Sequence, residues 1–303
     1  MIRKLLVVVL IGSTFLSCVY QRADMKADMS VEAPEFLPES SPVVCFDAGH
    51  NNFHEISSTY EPFAKLLRND GIHMDEHTAP FTPVSLENTD LLIIANALPV
   101  VEGESSAFTR EEIEVLVSWV RSGGSLLLIA DHEPFGNAAA DLAQALGVGM
   151  ESVWTVDRDR LDPEIDRSTW LRYSHENGGL GDHSIVNGDD EISHILTFTG
   201  QSLSFDSTWT PILKLSSQAR NYFSREHASK VSEDTSTYFP VPNQAQLIAC
   251  EFGEGRMVIA GEAAMFTAQE VRIFHKVIRA GFNYEGYDNK ELVLGIVRWL
   301  LSK

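Results

Sequence analysis

Cysteine is scarce in this chain, with three in 303 residues. That excludes a small domain stapled by disulfides. No two cysteines stand in a CxxC pair and no HExxH occurs, so the common zinc signatures are missing. No apolar run is long enough for a comfortable membrane span. Basic residues are few: 23 against 43 acidic ones, a net charge of −20. A surface that acidic repels phosphate backbones, so no nucleic acid is expected as a partner. There is no internal repeat. What is present is an ordinary globular mixture, 44% hydrophobic and 22% charged. Its length suits one large domain or two small ones.

The chain opens with Arg3 and Lys4, then Leu5 to Ile11, then Ser17-Cys18. A basic start, a short apolar stretch and a small residue before cysteine fit a bacterial lipoprotein leader. The expectation is a signal peptide over 1–17, lipidation of Cys18 and export to the periplasmic or cell-surface face of a bacterial membrane. Plain secretion, with cleavage after Ser17, is the alternative. Residues 18–41 are rich in Glu, Asp, Ser and Pro and read as an acidic tether. Residues 42–303 read as a single domain. Cys45 and Cys250 lie in apolar runs and read as buried thiols, with a disulfide between them left open.

Val43 to Phe46, Leu91 to Ala95 and Leu126 to Ala130 are continuous apolar runs, the pattern of strands buried on both faces. Amphipathic stretches alternate with them. Ser58–Glu61 and Thr109–Glu112 are candidate capping boxes, and Gly71, Gly123 and Gly147 are candidate helix stops. Residues 151–243 break the pattern and read as an elaborated insertion with short strands. Gln246 to Phe252, Gly253-Glu254-Gly255 and Arg256 to Ala260 predict a β-hairpin. A last helix is expected over 289–301. Strands alternating with helices predict a mainly parallel sheet covered on both faces.

The buried runs exit into polar residues: Asp47 and His50, Asn96, Asp131 and His132, and Glu262. A parallel sheet delivers such residues to one edge, where open α/β folds bind ligands. His50 and His54, four apart, are candidate ligands for a divalent metal. Asp47, Asp131, His132 and Glu262 are candidates for moving a proton or binding the reacting group. The plainer readings are a hydrogen-bonded core histidine, a helix-capping aspartate and a glutamate that accepts helix amides. His73, His77, His175, His194, His227 and His275 read as surface or packing residues.

Six segments together resemble a known group: Asp47 to His54, Ile94 to Leu98, Thr109 to Ile113, Gly123 to His132, Thr197 to Gln201 and Gly261 to Phe266. They are similar to an uncharacterised bacterial lipoprotein family of the class I glutamine amidotransferase-like superfamily, over about residues 43–301. The resemblance implies an α/β flavodoxin-like three-layer sandwich. The superfamily often carries a cysteine at a strand-to-helix elbow. The matching stretch here, Ile129 to Gly136, has none, so a thiolate glutaminase is not expected. Asp182-His183-Ser184-Ile185 resembles a ThuA-like motif and implies a sugar-related ligand.

Three functions are weighed. One is a metal-assisted hydrolase of a polar or saccharide-like substrate. The second is a non-catalytic binding lipoprotein, with Asn51, Asn96, His183 and Gln201 as ligand-binding candidates and Trp154 or Trp209 as an aromatic wall. The third is an assembly subunit of an envelope complex.

Overall fold

The computed structural model describes residues 19–188, 192–273 and 276–302. The expected leader, Cys18 and His275 lie outside these.

Seven strands form the central sheet: β1 (Val43–Asp47), β2 (His73–His77), β3 (Leu91–Ala95), β4 (Ser125–Ile129), β5 (Thr210–Lys214), β6 (Ala245–Phe252) and β7 (Gly255–Ala260). Their order across the sheet is β5-β6-β7-β4-β3-β1-β2. β2, β1, β3, β4 and β7 are parallel; β6 and β5 add an antiparallel edge. β6 and β7 are the expected hairpin, with Phe252 opposite Gly255. Every residue of β3 and β4 is buried, which explains why they read as unbroken apolar runs.

Helices cover both faces. α1 (Glu61–Asn69) and α5 (Asn289–Leu301) pack Phe63, Leu66, Leu67, Leu292 and Ile296 against Val44, Phe46, Ile93 and Leu127. α2 (Arg110–Arg121) and α3 (Phe135–Ala145) pack Leu116, Val120 and Leu142 against Leu92, Ile94, Leu126 and Leu128. Successive strand residues point to opposite faces, so each strand feeds both cores. At about 25 cal/mol per Å² of apolar surface, this two-sided burial is the main stabilising contribution.

The Thr109 capping box forms: its side chain accepts from Glu112 N while Glu112 reaches back to Thr109 N. The Ser58 box does not. Tyr60 occupies the N-cap of α1 with no side-chain bond, and the turn closes instead through Glu61 N donating to Ser58 O.

The insertion holds short antiparallel strands, such as Leu171–Ser174 against His194–Thr197, and the short helix α4 (Arg225–Lys230). Its β5 joins the main sheet. The tether expectation is corrected for residues 19–41. Val19–Ala23 is a strand, paired antiparallel with Ala268–Ile273, which pairs in turn with Lys276–Gly281. Met29 is buried in the core beside α1, and the carboxylate of Asp70 takes Glu35 N and the Arg298 guanidinium. The Val19–Ala23 strand gives no local signal because its register partners lie more than 200 residues away. Among the described residues no helix is long and apolar enough to cross a membrane. Cys45 and Cys250 are free and buried.

Candidate functional site

The loops leaving β1, β3, β4 and β7 meet at the carboxyl edge and are laced by backbone bonds. Phe53 N donates to Asn96 O, Leu98 N to His50 O, and Ala130 N to Ala260 O. The order β2-β1-β3-β4-β7 reverses direction between β1 and β3, the point where open α/β sheets leave a crevice. Asn51 and Asn96 there adopt positive φ, 46° and 49°. Asparagine tolerates this conformation better than other side-chain-bearing residues do.

The expected site residues share this edge but fall into two groups. The first surrounds His50. Its Nδ1 lies 2.8 Å from Asp47 Oδ1 and its Nε2 3.0 Å from Glu112 Oε1. Burial works to lower its pKa, and the two carboxylates outweigh burial and raise it. His50 is therefore clamped between two carboxyl groups that favour its protonated form. Asp47 also accepts from Gly49 N and Asn52 Nδ2, and Glu112 from Phe81 N and Thr109. Phe81 and Phe108 pack on the ring. Beside it, burial depresses the pKa of His77.

The second group surrounds Glu262, which has no exposed surface. Its Oε1 accepts from Ala264 N at 2.8 Å and its Oε2 from Met265 N at 2.9 Å, the helix-amide role of the plainer reading. Burial, then the charge of Asp131, raises its pKa well above the usual range; the amides only partly offset this. Burial likewise raises Asp131, against the pull of His132. Tyr60 lies beneath the pair and feels both charges, and its hydroxyl donates to Ala263 O. Gly200 lets the insertion lie on this carboxylate: a Cβ there would stand 2.3 Å from Gly261 O and 2.8 Å from Glu262 Cβ.

His54 sits between the two groups, its Nδ1 2.7 Å from Thr59 Oγ1 and its ring 4.5 Å from Tyr60. Burial pulls its pKa down to about 3, so it is neutral. His50 and His54 therefore do not form the expected metal pair. Both nitrogens of His50 are held by carboxylates. Among the described residues no group of three or more His, Cys, Asp or Glu side chains is placed to hold a metal ion.

Three of the four ligand-binding candidates have structural partners here. Asn96 Oδ1 accepts from Asp131 N. Gln201 donates to Ala130 O and Asp131 O and accepts from Glu151 N, with no exposed surface. Asn51 donates to Pro99 O. His183 is elsewhere: its ring packs edge-on against Trp299, within the field of Glu251 and Arg256, at the opposite end of the sheet. Trp209 donates to Leu146 O beneath α3 and forms no wall at this edge.

Beside these groups runs a row of rings, buried at Phe135 and Trp154, half-buried at His132 and exposed at Phe53; of these the sequence singles out Trp154 and His132 but neither phenylalanine. Phe53, 51% exposed, lies 5.7 Å from Phe135; Phe135 lies 6.4 Å from His132; His132 stacks on Trp154 at 5.5 Å and 21°. Half-buried Asp131 adjoins this row. The indole Nε1 of Trp154 is buried with no hydrogen-bond partner. The rings come from three separate segments, so only the fold aligns them. A large hollow of about 820 Å³ lies at the other end of the sheet, between Pro42, Asp90, Arg256 and Leu300, away from these groups.

No known family matches the chain by sequence, and no curated protein does. Solved structures do. The mmIFT52 N-terminal domain superposes with a TM-score of 0.61 at 16% identity, covering 86% of this chain and 98% of that one. A cytoplasmic protein from Salmonella typhimurium gives 0.49 at 13% identity, over 86% and 100% of the two chains. A ThuA-like protein from Bacteroides uniformis gives 0.45 at 12%, over 90% and 94%. At such identities the first likeness is one of fold alone, a mixed α/β fold built on a large, mostly parallel sheet.

Proposed function

We propose that the chain is an exported envelope protein, lipid-anchored at Cys18, whose domain binds a small saccharide-like ligand at the carboxyl edge without turning it over. The domain is read as a flavodoxin-like three-layer sandwich of the amidotransferase-like kind. The 2-1-3-4 order of its first parallel strands and the helices on both faces support that reading. The observation that carries the functional reading is the row Phe53–Phe135–His132–Trp154 beside Asp131. The exposed Phe53 ring can cover an apolar face of a sugar ring, while the half-buried Asp131 carboxyl and His132 imidazole, the latter backed by the buried Trp154, meet its hydroxyls. The non-catalytic reading is favoured over the hydrolase for two reasons. The histidines that would hold a metal are engaged elsewhere, and Glu262 spends both oxygens on backbone amides.

Thermal-shift and calorimetric titration of the full chain against neutral and acidic mono- and disaccharides tests this. At least one sugar class should stabilise the protein and be recovered intact. Phe53→Ala and His132→Ala should each weaken it about tenfold or more, the scale of a lost ring contact or charge-assisted bond. Melting temperatures of the free variants should stay close to the wild type. A wild-type chain indifferent to every sugar at millimolar concentration ends the proposal.

A further inference from the structure

The strand that follows Cys18 carries a second surface. Cross-strand partners share a face of the sheet. The register Arg22 opposite Glu270, Glu270 opposite Arg279, and Arg272 opposite Val277 therefore places these five residues together. The other face is turned inward: Gln269 and Ala280 are buried, and Val271 and Ile278 pack on the core. Arg22, Glu270, Arg272 and Val277 line one shallow hollow of about 100 Å³. Arg272, Lys276 and Arg279 are exposed, and so is Val277, at 49%. Glu270 pairs with Arg22 and Glu285 with Arg279, so on this face three cations, Arg22, Arg272 and Arg279, stand against two carboxylates, while Lys276, opposite Ile273, belongs to the other face at the turn. The ribbon is locally positive on a chain whose net charge is −20.

We infer that this ribbon face is a docking surface for an anionic phospholipid bilayer, which it meets through Arg272 and Arg279 with Val277 beside them. The inference rests on the lipid-anchor reading, because Cys18 directly precedes the strand. A lipid on Cys18 holds the ribbon at the headgroups with no spacer, so the 19–41 segment does not act as a free tether. The remaining acidic surface is repelled by an anionic bilayer while the ribbon is attracted. The two forces act together to turn this face toward the membrane.

The test uses the full chain carrying an environment-sensitive fluorophore at Val277→Cys, with Phe223→Cys as a distant exposed control. Each is placed with vesicles of phosphatidylcholine alone or with added phosphatidylglycerol. Iodide quenching reads contact of the probe with the bilayer, and labelled palmitate on the wild type reads acylation separately. We expect the Val277 probe to be shielded only with phosphatidylglycerol. Arg272→Glu with Arg279→Glu should abolish shielding, since each basic residue near an anionic surface contributes about fivefold in partitioning. High salt should do the same. If the Val277 probe is quenched as freely as the Phe223 probe with phosphatidylglycerol present, the docking surface is wrong, whatever the palmitate shows. If no palmitate is incorporated yet the Val277 probe is shielded, the anchor reading falls and the docking surface stands.

Discussion

The imidazole of His50 meets the carboxylate of Glu112 at 3.0 Å, joining the loop after β1 to the first turn of α2. One carboxylate serves two structures, since its other oxygen closes the capping box with Thr109. Cutting it away leaves His50 charged and half-partnered and uncaps the helix. Glu112→Ala should therefore cost about 3 kcal/mol, measured by urea denaturation near pH 6. The pH dependence has a definite sign. The folded pKa of His50 is raised above its ordinary 6.5, so its contribution is complete below 6.5 and is lost as pH rises through the folded value. His50→Gln should flatten that alkaline decline. A decline of the same steepness in the variant would place its source elsewhere.

The half of this pair on β1 was legible in the sequence, and the other half was not. Asp47 and His50 follow an apolar run, and a buried parallel strand has to deliver its end to the ligand edge. Glu112 carried a sufficient local explanation as a capping glutamate, so nothing called for a second role. His183 was misplaced for a related reason. It follows an irregular stretch, and only continuous strands say which end of a sheet they reach. The Val19–Ala23 strand was hidden because its register partners begin at Gln269. Helix bounds were easier, since periodicity and caps are local: α5 spans Asn289–Leu301, as its pattern predicts.

His54 sets an opposite limb. Its folded pKa is near 3 against an ordinary 6.5, so it stabilises the fold above 6.5 and costs stability as pH falls from there toward 3. His54→Gln removes the titration along with the bond to Thr59. It should lose about 1 kcal/mol at pH 7.5, match the wild type near pH 6 and be the more stable of the two near pH 4. Denaturation midpoints across that range decide it. Parallel curves for the two proteins would mean His54 does not resist protonation.

Gln201 holds the insertion to the elbow after β4. Three backbone groups, Ala130 O, Asp131 O and Glu151 N, depend on its amide. Gln201→Ala leaves all three without this partner, Ala130 O in the buried core, and should cost about 2 kcal/mol. Gly136 makes the approach possible, because a Cβ there would fall 2.0 Å from Glu151 O and 2.6 Å from Gln201 Nε2. Gly136→Ala should therefore destabilise comparably although no hydrogen bond is removed directly. Proteolysis within 151–243 that is unchanged in both variants would show that the clamp does not fasten the insertion.

Glu262 gives the sharpest electrostatic test, because its two perturbing influences can be separated. Burial comes first and the charge of Asp131 second; both raise the folded pKa above 4.5. A carboxyl group raised in this way contributes fully below 4.5 and weakens the fold as pH climbs through the folded value. Its decline thus begins two units below that of His50, and the difference between wild type and variant isolates it. Glu262→Gln should remove the decline, at a cost of about 2 kcal/mol at pH 4.5, because an amide cannot accept at both ends from Ala264 and Met265. Asp131→Asn should keep the decline and move its upper end to lower pH, since only the second influence is removed. Both variants are read by urea denaturation from pH 4 to 9. If Asp131→Asn leaves the position of the decline unchanged, the two carboxylates are electrically independent. The carboxyl edge would then hold a buried glutamate that acts only within the fold and a separate half-exposed aspartate that alone can meet a ligand.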